Sequence, residues 1–208
     1  MKISHTQLED CRANPRAWIQ ARAGADPFFT LGYNQALLHA IHQYHKAAGD
    51  ARAARKYLEG LIERHFKNEN RSEQIQEWLK AYIRWHRNSG VIVADSKFRI
   101  KLSVGVVLEL RGEMHRFDFL PNGYRAMLLG TYAQNWTNQL RMPLLQRAAA
   151  FRFGRPVEDI SIGVQYLDGS ELEEKRYSRN EITKAEEDFR NLSVKVEGYA
   201  RNIPGLLG

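Results

Sequence analysis

VIVADSKFRIKLSV (91–104), VVLELRGEMHRFDFL (106–120) and YRAMLL (124–129) are three consecutive runs in which apolar residues recur at every second position. That period belongs to a β-strand, whose side chains alternate between two faces. Pro121-Asn122-Gly123 supplies a turn that joins the second and third runs as a hairpin, so the middle of the chain reads as a three-stranded meander. Upstream the period is helical. Leu37, Leu38, Ile41 and Tyr44 share one stripe in residues 31–47, and Tyr57, Leu58, Leu61 and Ile62 share another in 51–66. In 71–87 the stripe is Ile75, Trp78, Leu79, Tyr82 and Ile83, and Asn88-Ser89-Gly90 ends that helix. Downstream, a helix is expected over 135–152 and a strand at SIGVQYL (161–167). A last helix opens on the capping box of Ser178 and Glu181 and runs through Ile182, Ala185, Phe189, Leu192 and Val196 to about Tyr199. The order describes an α/β fold, a mixed β-sheet flanked by helices, with an α-helical N-terminal half.

The 208 residues contain no repeat, low-complexity tract or Pro/Gly/Ser linker, and 43% are hydrophobic, enough for one domain to bury its own core. The single cysteine, Cys11, excludes a disulfide framework, a four-cysteine zinc site and an iron–sulfur cluster built within the chain. MKISHTQLEDC lacks an apolar signal region, and no stretch approaches the roughly 18 uncharged apolar residues of a membrane span. A soluble, cytoplasmic protein is therefore expected. The net charge of +7 is unevenly placed: residues 97–155 hold ten basic and three acidic residues, residues 156–208 seven basic and eleven acidic. Cations sharing one face displace counterions from nucleic acid. A solvated basic surface without a ligand is the alternative reading of the same count.

Several short motifs, in order, resemble the RecB-like branch of the PD-(D/E)XK nuclease superfamily, which includes AddB-type and CRISPR-associated exonucleases. They are Ser4, Thr6, Leu8, Cys11, Asn14, Pro15 and Trp18 near the N-terminus; LLHAI with His39; Gly112-Glu113-Met114-His115-Arg116-Phe117-Asp118; Leu128-Leu129-Gly130-Thr131; and LRMPLL with Pro143. The resemblance implies one restriction-endonuclease-like domain over residues 1–208, with a helical insertion at about 48–90. It also implies where catalytic groups belong, and this sequence departs there. His115 stands at the first metal-binding aspartate, Leu128 at the second-strand carboxylate, Gly130 at the lysine, and Arg141 and Leu145 at the Q-x-x-x-Y positions. Metal-dependent phosphodiester hydrolysis needs hard oxygen ligands to deprotonate a bound water, and Leu128 offers none.

The expectation is thus a vestigial site of His39, His115, Leu128 and Gly130, with no catalytic residue, no metal and no cofactor. Asp95, Glu113 and Asp118 are the carboxylates expected nearest to it. Strict alternation groups Glu113, His115 and Phe117 on one strand face and Met114, Arg116 and Asp118 on the other. His42 and His45, at i+3 and i+6 from His39, read as an amphipathic helix face, and Cys11 reads as a buried apolar residue. The basic residues expected to contact phosphates are Lys97, Arg99 and Lys101 on one strand face, with Arg141, Arg147, Arg152 and Arg155 on and after the following helix. Tyr132, Trp136 and Phe151 are interleaved as candidate platforms for unpaired bases, with burial in the core as the alternative. LDGSELEEK (167–175) reads as a hairpin or loop tip.

The function expected from this is an inactive nuclease-fold subunit that binds nucleic acid, DNA ahead of RNA. The resemblance implies that it works beside a helicase or an active nuclease in a DNA repair, CRISPR-type or anti-phage defence complex. Two alternatives are an active metal-dependent nuclease with a migrated site using His39 and His115, and a purely protein-binding structural module.

Overall fold

In a computed structural model, which describes residues 1–23, 31–104, 108–130, 135–167 and 171–203, the chain is a mixed α/β protein. Its strands are β1 (Lys2–Ser4), β2 (Ile92–Ser103), β3 (Glu109–Leu120), β4 (Gly123–Gly130), β5 (Ile160–Tyr166) and β6 (Leu172–Lys175). The helices are α1 (Leu8–Ala13), α2 (Pro15–Ala23), α3 (Tyr33–Lys46), α4 (Ala51–His65), α5 (Glu69–Ser89), α6 (Arg141–Phe153) and α7 (Arg179–Ala200). Local chemistry fixes their ends. Asp50 accepts hydrogen bonds from the Arg52 and Ala53 N–H groups at the start of α4, and Asn68 does the same for Arg71 in α5. Gly90 ends α5 in the left-handed conformation, and the Ser178/Glu181 box opens α7.

The meander forms as the period of two requires. β2 runs antiparallel to β3, β3 to β4 and β5 to β6, whereas β4 and β5 are parallel and connected through α6. Pro121 and Asn122 make the two-residue turn between Leu120 and Gly123. Gly123 has φ +128°, and a Cβ there would meet the Asp159 carbonyl at 2.3 Å, so both backbone and space demand glycine.

β3 is long enough to serve three neighbours. Its first residues pair with β1 in parallel, at Lys2–Glu109 to Ser4–Arg111, and its last pair with β4 from Arg116 onward. Between them Gly112–His115 pairs with neither. Two imidazoles fill that gap: His5 lies over Gly112, where a Cβ would come within 2.2 Å of the ring, and His115 Nδ1 accepts the Leu129 N–H at 2.7 Å. β1 is too short for any period to reveal.

The sheet separates two cores. On one face α1, α2, α6 and α7 cover Phe98, Ile100, Met114, Phe117 and Leu128; on the other α3, α4 and α5 enclose Leu37, Ile41, Leu58, Ile75 and Leu79 with Leu129 of β4. Phe117 stacks on Phe153 of α6 at 3.8 Å between ring centroids, and such an aromatic contributes about 1.5–3 kcal/mol by burial. Phe117 thus packs with Met114, and strict alternation fails between them.

Beneath α5 lies a charged core. Arg116 and Asp118 are completely buried and joined by two hydrogen bonds of 2.6 and 3.0 Å. Arg116 also donates to the Tyr82 hydroxyl at 2.7 Å and to Gln165 at 3.2 Å, and its guanidinium lies 4.8 Å from the Trp85 ring centroid. Arg125 donates twice to Asp118 and once to Glu174. Two guanidinium charges meet two carboxylates, and the set ties β3, β4, β5, β6 and α5 together.

The sequence expectation of a helix over 135–152 is corrected at its start: Trp136–Asn138 is a single 3₁₀ turn, and α6 begins at Arg141. Trp136 is buried there with Nε1 donating to Glu173 at 2.6 Å. Of the expected hairpin or loop tip at 167–175, β6 pairs antiparallel with β5, and 168–170 lie outside the described residues.

Asp118→Asn should destabilise the protein by about 3 kcal/mol or more, because the buried Arg116 guanidinium loses its counter-charge and Arg125 keeps only Glu174. Glu186→Gln, which breaks only the exposed Arg147 pair, should cost less than about 1 kcal/mol. Urea unfolding of the two variants beside the parent measures both; similar midpoints would show that the buried cluster does not carry this stability.

Candidate functional site

Of the concave regions beside β2, two gather most of the candidate site residues. The first is a cleft of 210 Å³ between α3 and the β2–β3 ladder, lined by Gln35, Leu38, His39, Ile41, His42, Lys97, Glu113 and His115. Lys97 has φ +59°, a left-handed backbone that a residue with a Cβ adopts at a cost. Its ammonium donates to His39 Nδ1 at 3.1 Å and lies 3.9 Å from a Glu113 carboxylate oxygen. His39 therefore carries its proton on Nε2. His115 does too, since its Nδ1 accepts from Leu129. His42 Nδ1 is 2.9 Å from the Ser96 hydroxyl.

The sequence expectation placed His39 and His115 together, and the cleft contains both. Leu128 is elsewhere: it is completely buried on the α6 face, and its neighbour Leu129 supplies the backbone N–H that His115 binds. Gly130 ends β4 opposite Tyr166 of β5. Asp118 is consumed by Arg116 and Arg125. Asp95 lines a neighbouring 580 Å³ cavity with His42, His45 and His86, where its carboxylate accepts the Ser96 N–H. Among the described residues no three of His, Cys, Asp and Glu are placed to share a metal ion. His39 Nδ1 and His115 Nδ1 are already acceptors, Asp118 is bound to two arginines and Glu113 is the one carboxylate in the cleft lining, so these residues do not fit the metal centre that the resemblance implies.

The second region is a groove of 600 Å³ where the β2 edge meets α6, lined by Arg99, Lys101, Leu102, Ser103, Arg147, Phe151 and Arg152. Four of the seven basic residues expected to contact phosphates converge there, although they lie about fifty positions apart in sequence. Phe151 is 75% exposed in their midst. Lys101 is 2.8 Å from Glu109, and Arg147 is 3.2 Å from Glu186. Lys101 and Arg111 hold the Glu109 carboxyl down at about 2, Lys101 foremost.

The other three basic residues are not among those lining the groove. Lys97 turns into the cleft, so it does not continue the row of Arg99 and Lys101. Arg141 starts α6, where its guanidinium donates to Gln139 and its backbone N–H to Glu9. Arg155 lies over Tyr124, 4.9 Å from its centroid. Of the aromatic platforms, Trp136 is in the core and only Phe151 faces the groove; Tyr132 lies outside the described residues. Cys11 is buried, and burial pushes its thiol up to about 12. No helix among the described residues is long and apolar enough to cross a membrane.

No family model matches the chain, and no curated protein matches it. Among solved structures, the chain is similar to the crystal structure of SSO0001, with 8% identity over 95% of this chain and 89% of that one, at a TM-score of 0.34.

Three imidazoles at the sheet gap and under α5 are held neutral. Burial lowers His115 to about 3, with the charges of His5 and Lys97 adding to it; burial also lowers His5 to about 4 and His45 to about 3. In the unfolded chain each takes up its proton near the ordinary imidazole value of 6.5. Below that pH the unfolded state binds more protons than the folded one. Stability should therefore be full above about pH 6.5 and fall as the pH drops toward 4, by up to about 1.4 kcal/mol per pH unit for each histidine. Urea midpoints across that range test this, and a flat profile would show that these rings are protonated in the fold.

Proposed function

We propose that this chain is a RecB-like, restriction-endonuclease-like domain that has lost its metal-dependent nuclease site and acts as a nucleic-acid-binding or scaffolding subunit. The observation that carries the binding part is the groove in which Arg99, Lys101, Arg147 and Arg152 surround the exposed Phe151. Cations from two separate elements aim at one channel, and an aromatic face stands among them. That combination suits a phosphate backbone whose bases are accessible. The fold part is supported by the element order on which the resemblance rests: helix α3, the β2–β3–β4 meander, α6 and the parallel strand β5. The lost activity is supported by Leu128 in the core and Asp118 between two arginines. Work beside a helicase or an active nuclease, in repair or defence, is the setting that the resemblance implies for such a subunit.

Fluorescence anisotropy with a labelled DNA oligonucleotide tests the reading. With four phosphate contacts the slope of log K against log salt should be about −3 to −4. Replacing Arg99, Arg147 and Arg152 by Ala should flatten it and weaken binding at low salt, whereas replacing Lys184 and Lys195 of α7 should change little. The chain alone should not cut DNA or RNA with Mg or Mn. Absence of binding at low salt would leave the protein-binding module in place, and metal-dependent cleavage that is lost in His115→Ala would favour the active nuclease.

A further inference from the structure

We infer that the cleft between α3 and the β2–β3 ladder is a metal-independent site for a phosphate group, either inorganic phosphate or the monoester at a polynucleotide end. Its lining presents donors from three elements. Lys97 brings a full positive charge from β2, His39 brings an Nε2–H from α3, and His115 brings an Nε2–H from β3. Both tautomers are set by a donor on the opposite ring nitrogen, so neither imidazole has to reorganise to receive an oxyanion. Gln35 adds a carboxamide to the lining, and 210 Å³ accommodates a phosphate with its waters.

The backbone points the same way. Lys97 has φ +59° within β2, and its side chain lines the cleft, whereas Arg99 and Lys101 line the groove. Strain of this kind persists where surrounding structure holds it, and it gathers at ligand clamps. Glu113 is the one carboxylate in the lining, at 3.9 Å from the Lys97 ammonium, and it occupies the cation loosely. An entering dianion would compete with that carboxylate for Lys97.

The inference does not rest on the groove, because inorganic phosphate reaches the cleft without it. The two sites are nonetheless adjacent: Lys97 and Arg99 are two residues apart on one edge strand, about 7 Å along it. A strand lying in the groove has its end within reach of the cleft.

Titration of the full chain with inorganic phosphate, by calorimetry at constant chloride, is the test. Saturable one-to-one binding is expected, weakened about tenfold or more in Lys97→Gly, which removes the charge and at the same time relaxes the left-handed backbone, so the variant stays folded. Glu113→Gln should tighten binding several-fold by removing the competing charge, an effect that loss of a merely structural contact would not produce. Oligonucleotides with 5′- or 3′-phosphate and with hydroxyl ends separate the sources. Preference for a phosphorylated end that vanishes in Lys97→Gly assigns the polynucleotide, and equal affinity with phosphate binding retained assigns the free ion. No saturable phosphate binding by the parent chain, or equal affinity in Lys97→Gly, would overturn the inference. Either result leaves the salt dependence of the Arg99, Arg147 and Arg152 variants to be read independently.

Discussion

The Asp118 carboxylate, held by Arg116 and Arg125 with no access to water, is the contact from which the rest of the architecture follows. Removing one member leaves a bare charge in a low-dielectric interior, where it costs far more than the contact gains in water. All partners must therefore be in place together, and they come from β3, β4, β5, β6 and α5. The register of the hairpin is fixed by this requirement as firmly as by its apolar face. A slip of one residue would carry Arg116 and Asp118 into the Phe153 side of the sheet, where no polar partner awaits them.

Anchored in that way at its C-terminal end, β3 parts from β4 toward its N-terminal end and takes β1 as its new neighbour. The gap between the two partners holds His5 and His115. The sheet is polar around this gap, and Glu113 and His115 from it line the cleft beside α3. The groove has a different origin, since it forms where α6 crosses the outer edge of β2. Two chemically distinct regions, one tight and rich in imidazole, the other open and rich in guanidinium, flank the same strand.

Much of this could be read from periodicity. The three long helices, the meander, the Pro121–Asn122 turn and the Ser178 box follow from apolar spacing and turn chemistry, all of which are local. What could not be read was set by partners distant in sequence. β1 and the first two helices are too short to show a period. Whether Trp136 is core or platform stays open in its sequence, because its hydrogen bond to Glu173 depends on β6. Asp118 looked like a remnant of a metal site, but Arg-Phe-Asp within an apolar hairpin was a legible sign: two opposite charges at i and i+2 share a strand face, and with Arg125 on the facing strand they have reason to be paired. The cationic groove was legible as composition. Its membership was not, because Lys97 leaves the row through a backbone angle that no side-chain pattern encodes. Leu128 has no side chain that could hold a metal, but its position in the α6 core and the role of its neighbour's N–H toward His115 depend on partners distant in sequence.

The outer edge of β2 has a consequence for the protein as a material. Twelve residues of strand with nothing paired beyond them, among the described residues, would ordinarily template the addition of further chains. Here the ladder shifts between Val93 and Asp95, the backbone turns left-handed at Lys97, and Arg99 and Lys101 follow with like charge. A second copy approaching that edge finds neither a straight row of hydrogen-bonding groups nor a neutral surface. The features that shape the cleft and the groove therefore also oppose edge-to-edge pairing along β2.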